Sequence, residues 1–181
     1  MPQHPSHPTQ ERLVEVFNIL ERHIEDRYGI PVMISDVLDP NTGDFDGVQI
    51  KIDYANDIEI AVFVLIHLFG HTVQWNTNER FREIGQDTNL KKSEEELVEI
   101  AEYEREATQL SLALLHEAGV RDLDQWVSDW WRADFAWLTN FYRTGERADF
   151  RKYMRAGAEP PLGTIPIPPF KATKWVSRWS F

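Results

Sequence analysis

Two histidines stand four residues apart in Phe63-Val-Leu-Ile-His-Leu-Phe-Gly-His-Thr-Val-Gln-Trp75. On an α-helix that spacing puts the His67 and His71 imidazoles on one face, one turn apart, where both can bind a single metal ion. At about 100° per residue, Ile60, Phe63, Val64, Gly70 and Gln74 fall within roughly 60° of His67. The histidines therefore lie in a mostly apolar, buried stripe. Gly70 has no side chain, so another element can come close to the helix there. The competing reading is a pair of core histidines, each hydrogen-bonded to a backbone carbonyl.

Glu104 is the second feature. Leu97, Ile100, Ala101, Ala107, Thr108, Ser111 and Leu115 lie within about 60° of it on a helical wheel, so it sits in the middle of an uncharged face. Glu102 and Glu106 point about 160–200° away by the same wheel. A buried carboxylate needs a compensating partner. A divalent cation held by two histidines would supply one, and a buried salt bridge to an arginine is the alternative.

Which elements must position these groups? The histidines belong to a helix from about Asn56 to Trp75, after a strand over Val48-Gln-Ile-Lys-Ile-Asp53 that alternates apolar and polar. Ser93 with Glu96 is a capping box that opens a long helix carrying Glu104 and ending near Gly119. Upstream, Thr9 caps a helix with an apolar face of Leu13, Val16, Phe17, Leu20 and Ile24, ended by Gly29. Pro31 to Ser35 reads as a strand, and residues 39–47 are dense in turn formers. The two strands suggest a small antiparallel sheet. Residues 76–92 are expected to be a loop with at most one helical turn.

Downstream, a Trp-rich helix is expected from Asp122 to about Tyr142, with a short helix from Arg147 to Arg155. Residues 160–169 hold five prolines and must be extended. The aromatic tail from Trp175 to Phe181 is expected to pack back on the body. Residues 1–8 are polar and proline-rich, and His4 and His7 are read there as parts of a solvated, disordered tail. The fold class is α+β, mainly helical. One domain covers 9–157, and 158–181 form an extended C-terminal segment on it.

Composition narrows the function classes. The 181 residues suit one core. A net charge of -11, from 30 acids against 19 Lys and Arg, disfavours direct contact with nucleic acid or an anionic membrane surface. No cysteine is present, which excludes disulfide and thiolate chemistry. No signal-like N-terminus or membrane-length apolar run is seen, and a cytoplasmic protein is expected. A protein or peptide partner is compatible with the seven tryptophans.

With these residues in view, the segment from Val48 to Trp75 resembles the zinc-binding region of ImmA/IrrE-type metallopeptidases. That family carries His-Glu-x-x-His, often with Gly before the second His, as Gly70 stands here. Glu104-Arg-Glu-Ala-Thr-Gln-Leu-Ser-Leu-Ala-Leu-Leu115 looks like the family's second motif, with Glu104 and Ala107 matching its Glu and Ala. The resemblance covers roughly residues 10–118. It implies a metallopeptidase-like scaffold, a divalent metal, zinc foremost, and Glu104 as third ligand.

One position departs from the pattern. The residue after the first histidine should be the glutamate that activates the zinc-bound water, and here it is Leu68. Leucine takes no proton, so standard proteolysis is not expected. Four readings follow: a zinc pseudoenzyme, a non-haem Fe(II) enzyme using the two-histidine, one-carboxylate triad, a hydrolase whose base comes from Tyr103, Glu106 or an acid in 76–92, and a metal-free interaction protein.

Overall fold

The structure, a computed structural model, describes residues 7–176. His4 and the tail beyond Val176 lie outside the described residues. Where a free tail was expected, Pro8 is buried and His7 Nε2 lies 3.0 Å from Glu59 Oε1.

Helix α1 (Gln10–Tyr28) starts where Thr9 Oγ1 accepts from the Arg12 amide and stops at Gly29, whose φ of 65° suits a residue without Cβ. Its expected apolar face is buried in full. Three strands follow: β1 (Val32–Ser35), β2 (Gly43–Phe45) and β3 (Ile50–Asp53), ordered β1-β3-β2. The sheet is mixed and not antiparallel throughout: β3 runs parallel to β1 and antiparallel to β2. The cause is β2, a strand hidden in the turn-rich segment. Once it reverses the chain between β1 and β3, those two must point the same way.

Helix α2 (Ile58–Thr77) is capped by Asp57, whose Oδ1 accepts from the Ile60 amide at 2.9 Å. The Asp53 carboxylate accepts from the amides of Val37 and Ala55, both at 2.8 Å, and so anchors the turn between β3 and α2. Leu65, Ile66, Phe69 and Val73 are fully buried, each worth about 1.5–3 kcal/mol of transfer free energy. Among the described residues α2 alone is long and apolar enough to cross a membrane by composition, and 67% of its apolar window is buried inside the fold. Gly43 lets β2 lie directly on α2, since a Cβ there would meet Val64 Cγ1 at 2.6 Å and Leu68 Cδ1 at 2.9 Å.

Asn78 ends α2 and caps α3 (Glu79–Gln86), a two-turn helix where a loop was expected. Helix α4 (Glu94–Glu117) opens on the expected capping box: Ser93 Oγ accepts from the Glu96 amide, and the Glu96 carboxylate accepts from the Ser93 amide. Helix α5 (Asp124–Thr144) runs antiparallel to α4, tied by Arg143–Glu94 at one end and His116–Asp124 at the other, both at 2.8 Å. It starts two residues later than expected because Asp122 is held by Arg12 across the fold. The short helix near 147–155 is a 3-10 turn, Phe150–Tyr153. Residues 160–176 are extended. They bond Ser128 through Leu162, stack Phe170 on Tyr28 at 5.7 Å, and donate from the Trp175 amide to the Asp46 carbonyl.

Candidate metal centre

Helices α2 and α4 touch at Gly70. A Cβ there would lie 2.3 Å from the Ala107 carbonyl oxygen, so α4 rests on the bare backbone of α2. Ser111 Oγ, 2.8 Å from the carbonyls of both Ile66 and Ala107, shares its proton across the same seam. This close approach carries Glu104, one turn before Ala107, up to the histidines.

The three groups converge. His67 Nε2 and His71 Nε2 are 3.0 Å apart, and Glu104 Oε2 lies 3.1 Å from the first and 3.4 Å from the second. Metal–nitrogen and metal–oxygen bonds of about 2.0–2.1 Å in a tetrahedral site separate neighbouring donors by about 3.3 Å. The observed triangle fits one face of such a tetrahedron. His67, His71 and Glu104 form a group that can hold a metal ion, and among the described residues no second such group occurs. Their side chains are 16%, 6% and 12% exposed, so little water competes.

The ring orientations are set by neighbours. Gln74 Nε2 donates to the Tyr103 carbonyl at 2.9 Å and lies 3.3 Å from Glu106 Oε1. Its carbonyl oxygen must then face His71 Nδ1, at 2.9 Å, and accept its proton. His71 Nε2 is left with its lone pair toward His67 and Glu104, the tautomer a ligand needs. Phe45 of β2 and Tyr103 of α4 stack on the His71 ring, and Phe63 stacks on His67. His67 Nδ1, by contrast, is buried with no partner.

The charges are coupled. Burial acts to raise the Glu104 pKa, but His71 and His67 outweigh it and hold the carboxyl well below the usual range. Burial opposes a charge on His67, yet Glu104 outweighs it, with help from Asp134, and the His67 pKa rises. His71 goes down, through burial and the neighbouring His67, with Glu104 only partly offsetting them. The two histidines of one centre thus shift in opposite directions.

Sequence reasoning named the three residues that the structure brings together and missed what faces them. Asp134 of α5 is pushed up to about 6 by burial and by Glu104, against His67. Tyr142, also on α5, is pushed up to about 12 by burial, with Glu104 and Asp87 adding. The signal for Asp134 was available: Val127, Trp130, Trp131, Trp137, Leu138 and Phe141 lie within about 60° of it, so it interrupts an apolar face as Glu104 does. Of the tryptophans, Trp126 is core, while Trp130 is half-buried against Phe63, and both indoles donate to Glu59 Oε1.

Apart from Glu79, the bases considered from sequence are engaged elsewhere. The Tyr103 hydroxyl accepts from Trp75 Nε1 at 3.0 Å, and burial, with Glu104 adding, pushes it well above its ordinary value. Glu106 holds Gln74, Glu83 pairs with Arg80, and Asp87 pairs with Lys92. Leu68 packs toward Gly43 of β2. Compared with known protein families, with curated proteins and with solved structures, the chain matches none.

Proposed function

We propose that this protein binds one divalent metal ion, with zinc the best-suited species, through His67, His71 and Glu104. The scaffold is read as metallopeptidase-like, of the ImmA/IrrE type, without the glutamate of standard proteolysis. The observation that carries the reading is the triangle of donor atoms, with edges of 3.0, 3.1 and 3.4 Å. Nitrogen and oxygen donors at that spacing suit zinc, which asks for no particular geometry from its electrons. The Gln74 bond to His71 supports it further, because a ligating histidine ordinarily donates its other ring N–H. The packing of Gly70 on Ala107, the two small residues of the resembling motifs, supports the scaffold reading.

Loss of the base bears on activity. With Leu68 in place of the glutamate, α2 offers no proton acceptor at the position next to the first histidine. The same three donors also suit Fe(II), so the metal found decides between a zinc protein and an oxygen-using iron enzyme. Elemental analysis of protein made without added metal is the test. One zinc per chain, lost in His67→Ala and His71→Ala, is expected. No metal bound and none taken up on titration would sink the reading and leave a metal-free interaction protein. Gained proteolysis in Leu68→Glu would support descent from a protease.

A further inference from the structure

We propose that α5 supplies the proton acceptor that α2 lacks, and that Asp134 takes the proton of a water at the metal's open position. The inference rests on the metal-centre reading above. It deepens that reading into a hydrolytic site for esters or amides.

Two independent registers bring Asp134 to the centre. The first is the α4–α5 pair. Its ends are matched by Glu94–Arg143 and His116–Asp124. Glu104 lies ten residues in from Glu94, and Asp134 lies nine in from Arg143. At 1.5 Å of rise per residue those positions are level to within about 2 Å. The second register is between α2 and α5. Glu59 accepts from Trp126 and Trp130, and Phe63, one turn further along α2, packs on Trp130 with ring centres 5.0 Å apart. One more turn along each helix brings His67 opposite Asp134. Both helices advance in the same direction, so the match holds.

The side chain is suited to the role. Among the described residues, no hydrogen bond or ion pair engages the Asp134 carboxylate, although it is half-buried. It also stands outside the cluster of donor atoms that lie within 4.8 Å of one another. It is therefore not one of the three donors, and its proposed role runs through a water. The titratable groups facing it are His67 from α2 and Glu104 from α4, both ligands once the centre is loaded.

The step balances without a further reactant. Asp134 takes one proton from the water, and the water oxygen bonds to the acyl carbon. The bond from that carbon to the leaving oxygen or nitrogen breaks, and Asp134 gives the proton to the leaving atom.

The experiment compares wild type, Asp134→Asn and Asp134→Glu, each loaded with Co(II). The visible spectrum is followed from pH 5 to 9, and hydrolysis of 4-nitrophenyl acetate is measured on the same samples. In wild type the spectrum should titrate as the water ionises. In Asp134→Asn the midpoint should fall, because a neighbouring anion no longer opposes the hydroxide, and the ester rate should fall about 100-fold, with one Co(II) still bound. Asp134→Glu should recover part of the rate. An unchanged midpoint and rate in Asp134→Asn would overturn the proposal, as would loss of Co(II) binding, which would make Asp134 a ligand. Wild type that hydrolyses the ester no faster than Asp134→Asn overturns it too. Failure of the underlying reading looks different: wild type itself would then give no Co(II) spectrum.

Discussion

The centre has two unlike walls. On the α2–α4 wall the polar groups are paired: His71 to Gln74, Gln74 to Tyr103 and Glu106, Ser111 across the seam, with His67 Nδ1 the exception. On the α5 wall the facing carboxylate, Asp134, has no hydrogen-bonding partner among the described residues. A paired wall is pre-organised to hold one geometry and costs little to leave as it is. An unpaired carboxylate in a half-buried place is retained at a cost, and such groups concentrate where chemistry is done. Under the proposals above, binding belongs to the first wall and reactivity to the second.

Substitutions on the first wall should therefore change metal affinity most. Glu104→Gln removes a ligand and the charge that balances the ion. Affinity for zinc is expected to fall at least about 100-fold in a chelator competition, more than an outer-shell change costs. Gly70→Ala forces the Ala107 backbone away and should cost about 1–3 kcal/mol in urea unfolding, with weaker metal binding because Glu104 moves with α4. Unchanged stability would mean that α2 and α4 do not meet as described. Gln74→Leu frees the His71 tautomer and should weaken zinc about 10–100-fold with the fold intact.

Acid should act on the same wall. The His67 pKa is raised by Glu104, so binding an ion at low pH must expel that proton. Zinc affinity should drop by up to about tenfold per pH unit below the raised value and level off above it. In the metal-free protein the sign reverses. Stability from protonated His67 is complete below its unfolded-state pKa and fades as pH rises through the folded one. Affinity that stays flat from pH 5 to 8 would remove His67 from the ligand set. On the second wall, Asp134→Asn should shift zinc affinity by less than the roughly 10–100-fold of a residue that hydrogen-bonds a ligand, the smallest effect of the series. A large loss would erase the distinction between the walls.

How much of this was legible in the sequence depends on the range of the signal. His67, His71 and Glu104 each stood on a helix face whose period is local, and Gly70 marked the place of closest approach. The Ser93–Glu96 capping box and the Gly29 stop are likewise local. Strand β2 was not, because three residues in a turn-rich stretch show no alternation, and Gly43 is required by Val64 and Leu68, about twenty residues on. His7 is held by Glu59, a partner in a different element. Helix α3 is short, and its cap at Asn78 coincides with the end of α2, which masks the signal. Asp134 carried the same wheel signature as Glu104, but its role follows only from the register of α5 against α4 and α2, which no single segment encodes.

The central claim is that the side chains of two separate helices share one cation. X-ray absorption at the zinc edge of the protein loaded with one equivalent reads this directly. Two imidazole nitrogens and a carboxylate oxygen at about 2.0–2.1 Å are expected, falling to one imidazole in His67→Ala and losing the carboxylate oxygen in Glu104→Gln. A zinc environment that stays the same in both variants would place the ion elsewhere and contradict the account.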